Sequence, residues 1–328
     1  MSDVTALVLS LGEDYTDRAI ASVRRQAFPA VETIVVRGIS PFHHAFQSGV
    51  ACVRTAFFIQ VDADMILDST CIKDLRDCVS DGVGIIVGHL RDPLLNRAVG
   101  IKLFRTQSCG RVRHRDSVSS ETDFVGDIER EGWTTVYALQ YSEASPARWH
   151  TFGEHCPDYN PHYTFCKFVR DGAKARYRKA GGGIRGLFRQ LQTSAHSAAT
   201  VAAIAAAHGI FVKERRDLHG PYTHSEESEF LERFLMAPKG AEAAPAIHGD
   251  LVQGDLRKGF KRSFELGIRL RRYSASTTFL TCLRQLHQQG DVASWVTLVG
   301  LCHGLFVDEY NDAEAEEAFA LLRELLPG

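Results

Sequence analysis

Over the first seventy residues, short runs that are apolar at nearly every position alternate with segments of helical periodicity. This alternation constrains the fold more than any other feature. It predicts a strand over 5–10, a helix over 17–26 with Ile20, Val23 and Ala27 on one side, a strand over 32–36, a helix over 46–53 and a strand over 57–61. Strands with no polar face are buried on both faces, so the expected arrangement is a mostly parallel, Rossmann-like α/β sheet covered by helices on each side. Ligands of such sheets sit beyond the carboxyl ends of the strands. The segments expected at that edge are Ser10-Leu11-Gly12-Glu13-Asp14, Arg37-Gly38-Ile39-Ser40 and Asp62-Ala63-Asp64.

Further along, the pattern predicts a strand over 83–87, a polar stretch to Ser120, a helix over 122–131 stopped by Gly132, and a strand over 134–140. The chain then turns basic over 165–189, with Lys167, Arg170, Lys174, Arg176, Arg178, Lys179, Arg185 and Arg189 against a single Asp171. Gly181-Gly182-Gly183 inside this run reads as a hinge, and strand signals stop there. Two domains are expected, 1–180 as the α/β unit and 181–328 as a helical unit, in keeping with roughly 150 residues per domain. The chain reads as free of internal repeats.

Composition excludes some classes. The formal charge of −2 is not that of a globally basic nucleic-acid binder, so no nucleic-acid partner is expected. No apolar run approaches the roughly 20 residues of a membrane span, and Ala6-Leu7-Val8-Leu9, following Asp3, is too short for a secretory core. The eight cysteines never form C-x-x-C pairs. They read as reduced thiols in a cytoplasmic protein. His150, His155, Cys156, His162 and Cys166 fall close together, but without the tight paired spacing of structural zinc sites.

Asp62-Ala63-Asp64 is the strongest chemical signal. Two carboxylates at i and i+2, just past a buried strand, can share a hard divalent cation, Mg²⁺ or Mn²⁺, which in turn binds substrate phosphates. The ordinary alternative is an acidic turn.

Several segments together resemble the opening of family 2 glycosyltransferases. They are Arg18-Ala19-Ile20-Ala21-Ser22-Val23-Arg24-Arg25-Gln26, then Pro29, Glu32 and Val35-Val36, then Gly49 thirteen positions before Asp62, and the run Phe57-Phe58-Ile59-Gln60-Val61-Asp62-Ala63-Asp64. Ser22 and Gln26 stand four apart, as that family has them on its first helix. The likeness is specific over 5–70, weaker to about 180 and absent beyond. It implies a glycosyltransferase A domain over 1–180 that moves a sugar, with inversion, from a nucleoside-diphosphate sugar to a glycan or lipid-linked acceptor. Donor contacts would come from Ser10, Leu11, Gly12, Arg37, Gln47, Gly49 and Asp62. Asp62, Asp64 and His155 would hold the Mn²⁺ or Mg²⁺, with His150 the second choice for the histidine. His155 lies in Gly153-Glu154-His155-Cys156-Pro157, similar to a His-x-Pro pattern of bacterial members.

The general base follows from the same resemblance. The family's spacing from a helix-ending glycine, counted back from Gly132, lands on Glu121, and Asp123 matches a second acidic position. The ordinary reading of this run is a helix start, with Ser120 as cap and acids in the first turn. Three departures stand out: Arg37 replaces an expected carboxylate, Gln47 replaces an asparagine, and the usual acidic pair is Ser120-Glu121. A sugar nucleotidyltransferase would need cations in the first loop, which 10–14 lacks. A transferase-like scaffold without turnover is the non-enzyme alternative. The basic runs over 167–189 and 257–272 would cradle a diphosphate or touch an anionic membrane from the cytoplasmic side, the ordinary reading being a solvated face. Trp133 and Trp149 are candidate sugar platforms, with core packing the ordinary role for Trp133.

Overall fold

Strand β1 (Val4–Ser10) is buried at all seven positions. On one face Val4, Ala6 and Val8 meet Ala19, Ile20 and Val23 of helix α1 (Thr16–Arg24). On the other, Leu7 and Leu9 meet Ala45 and Phe46 of α2 (Phe42–Val50). Parallel neighbours close both edges: β2 (Glu32–Arg37) pairs Ile34 with Leu7, and β3 (Phe57–Asp62) pairs Gln60 with Leu7. Gly49 lets α2 come down onto β1, because a Cβ there would lie 2.2 Å from a Leu7 methyl.

A computed structural model describes residues 3–28, 32–138, 151–178, 181–212, 225–236, 256–273, 275–289, 292–310, 316, 319 and 320. The remaining elements of the first unit are β4 (Met65–Leu67), α3 (Cys71–Asp77), β5 (Val83–Asp92), β6 (Asn96–Arg105), α4 (Ser120–Arg130), β7 (Thr134–Tyr137) and β8 (Gly153–His155). The eight-stranded sheet runs β2-β1-β3-β6-β5-β8-β4, with β7 also on β5. It is parallel at β2-β1-β3 and turns mixed where β6 enters antiparallel to both β3 and β5.

That entry differs from the polar stretch expected after residue 87. The chain instead completes β5 and returns as β6, through a turn in which Asp92 Oδ1 accepts the N–H groups of Leu94 and Leu95 at 2.8 and 2.7 Å. Arg91, Arg97 and Lys102 interrupt the apolar pattern and hide the hairpin from periodicity. Phe104 of β6 then joins Phe46, Phe58 and Phe124 in an aromatic cluster, with ring centroids 4.9–6.2 Å apart. Trp133 packs against this cluster, the role its position beside the helix end suggests.

The chain divides into compact units at Met1–Asp158 and Tyr159–Gly328, ahead of residue 180. The second unit contains α5 (Pro161–Tyr177), α6 (Gly181–Thr193), α7 (Ala199–Gly209), α8 (Ser225–Met236), α9 (Leu256–Arg272), α10 (Ser276–Gln289) and α11 (Val292–His303). Helix α5 belongs here because it packs on α7. The glycine triplet at 181–183 opens α6 instead of making a hinge. Among the described residues no helix is long and apolar enough to cross a membrane.

Gly153 ties this frame to the chemistry. Its φ is +156°, and a Cβ would meet the Ile66 carbonyl oxygen at 2.3 Å, so only glycine lets β8 lie against β4. Gly153→Ala is expected to cost roughly 1–3 kcal/mol, read as a lower melting temperature, and to displace His155. Unchanged stability would show that β8 does not depend on this contact.

Candidate active site

The acidic turn is fixed from behind by α1. Ser22 Oγ accepts the Leu67 N–H at 3.0 Å. Gln26 Nε2 donates to the Asp68 carbonyl at 2.8 Å, and Gln26 Oε1 accepts the Ile72 N–H at 3.0 Å. Ser22 on α1 and Gln26 just past its end together clamp the backbone that follows residues 62–64. Asp62 stands at the end of β3, where its Oδ1 accepts Gln60 Nε2 at 3.1 Å.

Strand β8 brings His155 to the same place. Its Nε2 lies 3.3 Å from Asp64 Oδ2, and its Nδ1 lies 2.6 Å from Asp92 Oδ2. The Cys156 N–H also donates to the Asp64 carbonyl at 2.7 Å. Asp92 is fully buried at its side chain, so the ring is oriented by a carboxylate behind it, as imidazole ligands of metals are. Asp92 escaped the sequence reading because the hairpin did. An acid ahead of Pro93 reads as a loop residue.

Helix α4 supplies Glu121. It forms a short ion pair with Lys102 Nζ, whose side chain is only 8% exposed on β6. The capping arrangement expected for this helix does not form: Ser119 is the cap and makes no side-chain bond to the helix end. Ser120 Oγ donates to the Arg115 carbonyl at 2.7 Å and lies 2.7 Å from His114 Nδ1. Asp123 accepts Ser117 Oγ at 2.5 Å. Burial, then the charges of Asp64 and Glu121, push the Asp62 carboxyl up to about 7. Burial holds the His114 imidazole down at about 4. Lys102 is the functional candidate that sequence reasoning missed. A lysine inside an unrecognised strand carries no signal of its own.

The candidate donor residues are placed differently. Ser10 Oγ and the N–H groups of Leu11 and Gly12 all donate to Glu13 Oε2, at 2.8, 2.8 and 3.1 Å. The loop's donors are thus turned on the chain's own carboxylate. Arg37 faces Asp17 across 3.6 Å of exposed surface. Gln47 Nε2 donates to the His114 carbonyl at 2.8 Å, and Gly49 serves the α2–β1 packing. His150, the second choice for the metal, and Trp149 lie outside the described residues. All eight cysteines are free thiols.

The donor set of Asp62, Asp64 and His155 suits a hard divalent cation. It pairs crowded carboxylates, whose mutual repulsion a cation would relieve, with an imidazole already held by Asp92. Among the described residues no group of three or more His, Cys, Asp or Glu side chains is placed so that it could hold a metal ion.

The sequence matches no protein-family model and no characterised protein sequence. Solved structures similar to the chain include the mannosyltransferase PcManGT from Pyrobaculum calidifontis in complex with GDP-Man and Mn²⁺. It is 9% identical with a TM-score of 0.44, covering 94% of this chain and 88% of that one. Another is S. aureus TarS 1–349, 10% identical with a TM-score of 0.37, covering 90% of each chain. TarS 1–349 in complex with UDP-GlcNAc gives 10% identity and a TM-score of 0.34, over 90% of each.

The raised Asp62 carboxyl has a consequence for stability. Its folded value of about 7 exceeds the ordinary 3.8, so the folded state holds this proton more tightly, and stability falls as pH rises across that window. Without added cation, Asp62→Asn is expected to melt a few degrees above the parent at pH 8 and equally at pH 4. A variant that gains nothing at pH 8 would contradict a buried, crowded charge here.

Proposed function

We propose that the first unit is a metal-dependent, inverting glycosyltransferase that takes its sugar from a nucleoside-diphosphate sugar and passes it to a hydroxyl of a glycan or lipid-linked acceptor. The observation that carries this reading is the gathering of Asp62, Asp64, His155 and Glu121 at the carboxyl end of β3, where a parallel sheet presents its ligands. Glu121 accepts the acceptor's proton as the hydroxyl oxygen attacks the anomeric carbon, opposite the departing diphosphate. Lys102 holds Glu121 in place from within the sheet. Asp92 sets the His155 ring so that Nε2 faces Asp64. A divalent cation, Mn²⁺ or Mg²⁺, held by Asp62, Asp64 and His155 would offset the charge on the diphosphate. Bonding of loop 10–13 to its own Glu13 weighs against a nucleotidyltransferase, which needs cations there for a triphosphate.

Glu121→Gln is expected to lower kcat by roughly 10²–10⁴ with donor affinity intact. Asp64→Ala, or excess chelator, is expected to abolish donor binding, and the variant keeps the parent's melting temperature. Full turnover in chelator overturns the metal. Unchanged turnover in Glu121→Gln with loss in Asp123→Asn moves the base to Asp123. No binding of any nucleoside diphosphate in Mn²⁺ leaves the scaffold reading.

The two basic runs differ. Those of α5 are largely engaged inward: Lys174 pairs with Asp171 at 3.6 Å and Arg176 Nη1 donates to the Phe211 carbonyl at 3.0 Å. On α9, Lys258, Lys261, Arg262, Arg269 and Arg272 are exposed, Arg272 with Asp308 beside it at 3.3 Å, and Glu265 is the one acid of the helix. This cationic face favours an anionic bilayer, about 1 kcal/mol per residue near the surface, and peripheral residence on the cytoplasmic side of a membrane. The protein is expected to sediment with anionic vesicles at low salt and to leave them at high salt. Equal sedimentation with neutral vesicles, or none with either, would mark α9 as a solvated face.

A further inference from the structure

The second unit repeats itself. His208-Gly209-Ile210-Phe211-Val212 returns as His303-Gly304-Leu305-Phe306-Val307, 95 positions later. The same offset relates Phe165 to Phe260, Gly172 to Gly267, Arg176 to Arg271, and Arg189-Gln190-Leu191 to Arg284-Gln285-Leu286. It carries α5, α6 and α7 onto α9, α10 and α11.

Equivalent residues make equivalent contacts. A Cβ on Gly172 would lie 2.3 Å from the Ala206 carbonyl oxygen, and one on Gly267 2.4 Å from that of Leu301. On Gly209 it would lie 2.1 Å from the Val169 oxygen, and on Gly304 2.3 Å from the Phe264 oxygen. In each half, then, two glycines let the first and third helices touch backbone to backbone. Arg176 Nη1 donates to the Ile210 carbonyl at 3.4 Å, and Arg271 Nη1 to the Leu305 carbonyl at 3.3 Å.

The halves meet reciprocally. His208 and His303, equivalent residues, face each other with Nδ1 atoms 3.2 Å apart. Phe306 lies against His208 with ring centroids 4.4 Å apart, and Phe211 against His303 at 4.2 Å. Phe165 meets Phe306 at 5.3 Å, and Phe260 meets Phe211 at 5.3 Å. When residue i of one body touches j of the other and j touches i, the contact is isologous, the signature of a two-fold axis. Repeats stacked by translation, as in solenoids, bring unlike faces together and lack this reciprocity.

We infer that the helical unit is one three-helix module duplicated in tandem, its two copies paired about a pseudo-two-fold axis through His208 and His303. The partner that the α7 face fits is a second copy of its own module, supplied in the same chain as α11.

Two measurements on the full chain test this. In an experimental structure, residues 161–212 should superpose on 256–307 by a rotation of about 180°. A rotation far from that value, or a screw translation, overturns the axis. In a double-mutant cycle, His208→Leu and His303→Leu should lower the melting temperature equally, since each removes one side of the same Nδ1–Nδ1 contact. The double variant should lose less than the sum. Unequal single effects, or strict additivity, count against the paired copies. Arg176→Lys and Arg271→Lys, milder changes at equivalent sites, should shift melting by matching amounts, and unmatched shifts overturn the proposal even if the leucine variants do not fold.

Discussion

Closing both faces and both edges of β1 to water is the constraint on which the first unit depends. A strand so enclosed leaves little room for polar side chains, of which Thr5 is held by hydrogen bonds with Glu32 and Thr55, and the acids Asp62 and Asp64 stand at and past the end of β3. The strand ends β1, β2 and β3 lie at one edge because the three run parallel. Asp62 therefore reaches the functional edge as the last residue of a strand whose preceding five positions are buried. Helix α1 covers one face with Ile20 and Val23, and Ser22 on it and Gln26 just past its end clamp the backbone after the acidic turn.

Charge at that edge is balanced unevenly. Asp62, Asp64 and Glu121 repel one another, while Lys102 answers only Glu121 directly and Gln60 offers Asp62 a neutral hydrogen bond. The hydrogen bonds fix the geometry, while burial first, and then the negative charges of Asp64 and Glu121, raise the Asp62 carboxyl. At the end of β5, Asp92 has its two oxygens divided between tasks, one closing the β5–β6 turn and the other setting His155. A single buried carboxylate thus links hairpin formation to the orientation of a candidate ligand.

Much of this was legible in the sequence, and the exceptions have physical reasons. The parallel core, α1, and the position of Asp62 and Asp64 follow from apolar runs that no charge interrupts. The position of Glu121 was reachable from a glycine-ended helix, although its pairing with Lys102 was not. Lys102 and Asp92 were not legible, since a charge inside a strand reads as surface unless its partner is known, and their partners lie on α4 and β8. The helical repeat was hidden for another reason. Backbone-to-backbone packing fixes glycines, a capping arginine and a few aromatics, and it leaves nearly every position between them free to differ.

The duplication also changes what single substitutions can do. In a symmetric pair of separate chains, any change appears on both halves at once, so a residue useful to one surface is imposed on the other. Joined in one polypeptide, the halves evolve separately. The outer face of α9 carries Lys258, Lys261 and Arg272 where α5 has Tyr163, Cys166 and Tyr177, while the residues at the shared axis stay alike. Fusion has turned a self-complementary scaffold into one with two distinct sides, and an asymmetric surface of this kind can face a single target in a single orientation.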